Sequence, residues 1–211
     1  MSNVSQPHLF WGKAAPLAAI TGGGLFIMAS ARLAYALVAA AALMWVYVVS
    51  VLIFQVSARF FPRKGKNFCR IFLAAFAGSL FLFLVWLLSP VTALEVFFIV
   101  SLTPLYCAAS GVFERVESRV IGEAVLRSFF EAAVLGGLIV LFALIREPLG
   151  FLSLSLPGGA QGIILLFSFE KEAFLPIHVI ASSSGALLLL GYGIGLYRYF
   201  RSVNAPKETD V

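Results

Sequence analysis

Charge is what this chain lacks. Only 12% of its 211 residues are Asp, Glu, Lys or Arg and 61% are hydrophobic, too little polar surface to coat a soluble globule of this size. The sequence is that of an integral membrane protein. Cysteine is scarce as well: Cys69 and Cys107 make no disulfide framework and say little about redox compartment. With two histidines and no ligand spacing among Cys, His and acids, the sequence contains no metal-binding motif. Gly22–Gly24, Gly136-Gly137 and Gly191-Tyr192-Gly193 follow no strand and precede no Lys-Ser/Thr, so they read as close helix contacts and not as phosphate loops. No nucleophile stands with a base and no dinucleotide fingerprint occurs, which places bond chemistry, flavin and NAD chemistry included, outside this chain. The basic residues sit in short loops between apolar segments, which excludes a nucleic-acid surface.

What is present is apolar length. Between charged side chains run Ala14–Ala31, Leu33–Ala58, Ile71–Leu94, Val96–Phe113, Ala132–Ile145, Pro148–Phe169 and Ala173–Tyr197. Most are near the roughly 20 residues that cross a bilayer. None is a cleavable signal. Leu156-Pro157-Gly158-Gly159 would put a turn at mid-bilayer, so Pro148–Phe169 reads as a loop or re-entrant element. Six spans remain, with the fifth starting near Leu126 and stopping at Pro148. Both termini and the even loops then share one side with all the Lys and Arg except Arg32, Arg146 and Lys171. By the positive-inside rule that side is the cytoplasm of an inner (plasma) membrane. The expected architecture is one all-α membrane domain over 1–211, with half-repeats 14–89 and 91–197 and short cytoplasmic tails 1–13 and 198–211.

The stretch that organises the rest is Val100–Glu114, apolar yet holding Pro104, Cys107 and Gly111. Pro104 cannot donate a helix hydrogen bond, and the carbonyl it frees needs a partner where there is no water. Pro16 interrupts the first span in the same way. Interrupted segments at corresponding positions of two three-span halves predict a 3+3 inverted repeat with a broken first helix in each half and a site at the midplane. Arg146, next to Pro148, marks a further break.

Three motifs carry a family likeness. Cys107, Gly111 and Glu114 in Y-C-A-A-S-G-V-F-E are spaced as in N-C-x-x-x-G-R-x-E, Leu144–Gly150 matches L-R-E-x-x-G, and Pro16–Thr21 is similar to C-P-L-L-A-V-T. On these residues the chain resembles the six-span Rnf/Nqr membrane subunits of ion-pumping electron-transfer complexes, of the D/E type. The resemblance implies a non-catalytic subunit packed against an oppositely oriented homologous subunit and other chains of such a complex. It implies a [2Fe–2S] cluster shared between those two subunits, with Cys107 as this chain's ligand, and electron relay coupled to Na⁺ or H⁺ movement. Ala15 stands where the family has its first cysteine, Val112 replaces the motif's arginine and Tyr106 its asparagine.

Glu95, Glu114, Glu131 and Glu147 are the candidate ion path, since a carboxylate in hydrocarbon is retained only when paired, wet or useful. Each has a plainer reading beside it. Glu114 adjoins Arg115 and is equally a solvated helix end, Arg146 and Glu147 can snorkel outward, His178 can be an interhelical hydrogen bonder, and Cys107 can be a small residue packed at a helix break. Two other functions stay open: a cluster-free scaffold paralogue in the same kind of complex, and a small membrane transporter or binding component.

Overall fold

The computed structural model describes residues 24–57, 65–117, 119–158, 162–168 and 178–203. In chain order these form α1 (Gly24–Ala29), α2 (Leu33–Ser57), α3 (Lys66–Leu88), α4 (Pro90–Ala109), α5 (Val112–Val116), α6 (Ile121–Phe151), β1 (Ser153–Pro157), β2 (Ile163–Ser168), α7 (His178–Ala181) and α8 (Ser183–Val203). Four helices, α2, α3, α4 and α6, are long and apolar enough to cross a membrane. Of the expected first span only α1 is described, and Pro16 lies outside the described residues.

The centre of the molecule is the antiparallel pair α2 and α6. Leu33 at the start of α2 meets Glu147 near the end of α6, while Gln55 near the end of α2 donates to the Val116 carbonyl just ahead of α6 at 2.6 Å. Small residues set their spacing: a Cβ placed on Gly136 would lie 2.8 Å from Ala40 Cβ. The buried residues of α2, among them Ala36, Ala39, Leu43, Val46 and Tyr47, form the core with Leu135, Ile139 and Ala143 of α6. α3 and α4 close one flank and turn Phe72, Phe76, Phe83 and Leu87 of α3 and Phe97 and Phe98 of α4 outward, as lipid-facing helices do.

Local chemistry explains the turn between α3 and α4. Ser89 is extended, its hydroxyl accepts from Thr92 N–H at 3.2 Å, and Pro90 occupies the first helical position where its missing N–H costs nothing.

Three expectations need correction. First, α4 does not break at Pro104 but continues to Ala109. The carbonyl that the proline leaves without a helix donor is that of Val100, and the Thr103 hydroxyl donates to it at 2.7 Å. The pyrrolidine ring fits because α3 presents Gly78 there; a Cβ on Gly78 would sit 2.5 Å from Pro104 Cγ. The real break comes at Gly111, left-handed at φ 69°, after which the chain re-enters α5.

Second, the fifth helix neither starts at Leu126 nor stops at Arg146-Glu147-Pro148. α6 begins at Ile121, contains Pro148 and ends at Phe151, with Leu152 left-handed at φ 51° as its cap. One missing backbone bond is outweighed there by the buried ties of the two residues before the proline. Third, within the helical fold that was expected, the segment after Pro148 carries regular structure of its own. The expected loop after Pro148 holds the antiparallel hairpin β1–β2, paired from Ser153 with Ser168 to Pro157 with Ile163. The hairpin lies over the start of α2, where Ser155 Oγ accepts from Ala34 N–H at 3.4 Å.

Candidate functional site: two buried polar centres on one helix

The first centre is built on Arg146 and Glu147, adjacent on α6 and 2% and 0% exposed. Arg146 spends all five of its N–H donors on protein oxygens. Nε donates to Ile180 O at 2.9 Å, Nη1 to Ile27 O and Ser30 Oγ at 2.9 Å each, and Nη2 to Ala181 O at 2.9 Å and Ser182 O at 3.0 Å. These are the carbonyl ends of α1 and α7, where the chain bends into α2 and α8, and a cation suits that pole of a helix.

Glu147 takes the opposite pole. Its Oε2 accepts from Leu33 N–H, the first amide of α2, at 2.7 Å, whereas its Oε1 is buried with no hydrogen-bond partner among the described residues. No ion pair joins the two neighbours among the described residues. The outward snorkelling open to this pair in sequence does not occur. The guanidinium and the carboxylate instead hold two helix elbows together inside the protein.

The second centre lies toward the other end of α6. Glu131 is 6% exposed, and Arg115 grips it with Nε at 3.2 Å from Oε1 and Nη2 at 2.7 Å from Oε2. Arg127, one turn earlier on α6, adds Nε at 3.3 Å from Oε1. Arg115 Nη1 also donates to Ser110 O at 2.7 Å, and Ser110 Oγ donates to Cys107 O at 2.7 Å. A continuous polar chain thus leads from Glu131 to the elbow after α4. Cys107 itself is fully buried, with Sγ 3.7 Å from Ser50 Oγ on α2. The Ser50 hydroxyl is taken up by Val46 O, and the nearby Tyr47 hydroxyl is buried beside Ser110.

The remaining sequence candidates lie apart from both centres. Glu95 is exposed on α4, with its Oε1 3.9 Å from where a Cβ on Gly162 would stand beside the hairpin. Glu114 is 74% exposed and lies 3.7 Å from Arg70, which pairs more closely with Glu117 at 2.6 Å; the solvated helix end fits its placement. The residues of these centres that sequence reasoning did not single out are Ser30, Ser50, Tyr47 and Ser155, together with Arg115 and Arg127 as counter-charges. Serine and tyrosine are common in spans, and only packing shows which of them face a charge.

The geometry also tests the [2Fe–2S] assignment. A ligand to a cluster shared with another subunit needs its sulfur at the surface where the subunits meet, and Cys107 Sγ is enclosed by its own chain against Ser50. Among the described residues no group of three or more His, Cys, Asp and Glu stands close enough to hold a metal, and Ala15 removes the thiolate expected beside it.

Fold and centres together define the class: an α-helical membrane-embedded protein with buried ionic centres at its helix elbows. No protein-family model matches the chain, and neither does any curated protein.

Proposed function

We propose that this chain is the cluster-free form of an Rnf/Nqr-type membrane subunit, a six-span inverted repeat that serves cation movement in an ion-translocating electron-transport complex. Electron carriers then reside in the oppositely oriented partner and other subunits. The observation that carries the reading is Glu147. One hydrogen bond to a carboxylate contributes about 1.5–3 kcal/mol, while the penalty for a buried ion is several kcal/mol, so the uncovered Oε1 is a place for a small cation to bind. A buried carboxylate oxygen open to a small cation beside two helix elbows is what a coupling site needs.

Further support comes from the pairing of breaks across the halves. The elbow at Ser30–Arg32 and the elbow at Ser110–Gly111 are each held by an arginine, Arg146 in one case and the Glu131-braced Arg115 in the other. The burial of Cys107 favours the cluster-free form over electron relay through this subunit.

The test is a complex purified through this subunit and reconstituted in vesicles. Redox-driven uptake of Na⁺ or H⁺ is expected to fall at least tenfold in Glu147→Gln, while iron content and EPR spectrum stay the same in Cys107→Ala. A [2Fe–2S] signal lost in Cys107→Ala would restore the cluster and overturn the cluster-free reading. Stabilisation of the isolated chain by a solute, with no partner subunit co-purifying, would favour a small transporter instead.

A further inference from the structure

The outer seam between α3 and α4 carries two cavities that form one furrow. The first, about 380 Å³, is lined by Asn67, Arg70, Ala108 and Glu114, and the second, about 390 Å³, by Ala75, Gly78, Phe97 and Pro104. Ile71 and Leu105 line both, so the furrow is continuous. From Ile71 to Leu82 it follows α3 for about 16 Å at 1.5 Å per residue, close to half of a ~30 Å hydrocarbon core. It is therefore one leaflet deep.

Its chemistry changes along that length. The deep part is apolar, and its two serines have already spent their donors on their own helices: Ser79 Oγ donates to Ala75 O at 3.0 Å and Ser101 Oγ to Phe97 O at 2.7 Å. The shallow part ends at Arg70, whose side chain is 10% exposed, whose Nη1 donates to Asn67 Oδ1 at 3.0 Å, and whose Nε–H is buried with no hydrogen-bond partner among the described residues. Beside it the first turn of α3 has no side-chain cap, because Gly65 stands at that position. Glu114 also lines the shallow part, but at 74% exposure and 3.7 Å from Arg70 it is a loose partner that an incoming anion can replace, while Glu117 stays on Nη2.

We propose that this furrow binds one anionic phospholipid, with its phosphate at Arg70 and the open end of α3 and one acyl chain along the α3–α4 seam to mid-membrane. An amphipathic guest matches both the polarity gradient and the depth, and the negative sign matches the unpartnered Arg70 donor beside the uncapped first turn of α3. A helix of another subunit would cover the apolar half and leave the Arg70 donor without a partner.

The full-length protein, purified in mild detergent and stripped of lipid, provides the test. Native mass spectrometry is expected to show one retained phosphatidylglycerol per chain after exposure to mixed phosphatidylglycerol/phosphatidylcholine micelles. The melting temperature is expected to rise by several degrees with phosphatidylglycerol but not with phosphatidylcholine or inorganic phosphate. Arg70→Gln should abolish the preference for phosphatidylglycerol. Ser101→Phe, which fills the furrow from an exposed position, should abolish retention of either lipid. Equal retention of both lipids by the wild type, an unchanged preference in Arg70→Gln, or equal stabilisation by inorganic phosphate would each overturn the proposal. So would a Ser101→Phe variant that keeps its lipid and loses a partner subunit, for the furrow would then be a protein seam.

Discussion

Glu147 and Leu33 are 114 residues apart in sequence and joined by a 2.7 Å hydrogen bond from the Leu33 amide to Glu147 Oε2. That bond ties the end of α6 to the start of α2 and leaves Oε1 bare. Glu147→Gln keeps an acceptor for the Leu33 amide and removes the buried charge, so its unfolding free energy should stay within about 1 kcal/mol of wild type or rise. Glu147→Ala leaves the amide unsatisfied and should cost about 1–3 kcal/mol. Unfolding in detergent measures both, and a Gln variant as unstable as the Ala variant would show that the charge itself holds the elbow.

Arg146→Lys tests the geometry of the other pole. An ammonium keeps the charge but offers three donors where the guanidinium uses five, so carbonyls of α1 and α7 lose their partners. Loss of about 3 kcal/mol or more is expected, with protease sensitivity appearing first at the Ser182 elbow. A lysine variant as stable as wild type would show that charge alone suffices.

Thr103 and Pro104 form a compensating pair. Thr103→Val frees the Val100 carbonyl again and should cost about 1–3 kcal/mol. In the double variant Thr103→Val with Pro104→Ala, the second substitution restores a backbone N–H at position 104 that can donate to that carbonyl, so the double should recover most of the loss. Simple addition of the single effects, with no rescue, would reject the account of why α4 survives its proline.

At the second centre Arg115 holds Glu131 with two bonds and Arg127 with one. Arg127→Ala should cost no more than about 1–2 kcal/mol, whereas Arg115→Ala, which also abandons Ser110 O, should cost about 3–5 kcal/mol. Equal losses in thermal unfolding would mean the two arginines share the carboxylate evenly.

Cys107 and Cys69 differ in access. Cys69 is partly exposed near the start of α3 and Cys107 is enclosed, so a small maleimide should label the first in the folded protein and the second only after denaturation. Rapid labelling of folded Cys107 would place its sulfur at a surface and reopen its use as a ligand. Thiolate reactivity needs both access and deprotonation, and burial removes the first.

Much of the fold was legible because lipid imposes a simple rule: an uncharged run near 20 residues becomes a helix, and the run Leu33–Ala58 is the helix Leu33–Ser57. The errors fall on the prolines. Backbone chemistry alone predicts breaks at Pro104 and Pro148, yet each lies inside a helix because of side chains that local sequence does not reveal, Thr103 and Gly78 in one case and buried Arg146 and Glu147 in the other. Of the four carboxylates, Glu131 and Glu147 lie in buried centres, whereas Glu95 and Glu114 are exposed.

Sequence by itself determined the membrane environment, because burial of so much apolar surface in a chain with so few charges has no aqueous solution. It also determined the turn at Ser89-Pro90 and the left-handed break at Gly111, where the residue types dictate the backbone. Only the tertiary structure decided which charges are paired and which is bare. Arg146 and Glu147 are neighbours in sequence, but each finds its partners on helices far along the chain, and the fit of a donor to a helix end is a property of three-dimensional packing.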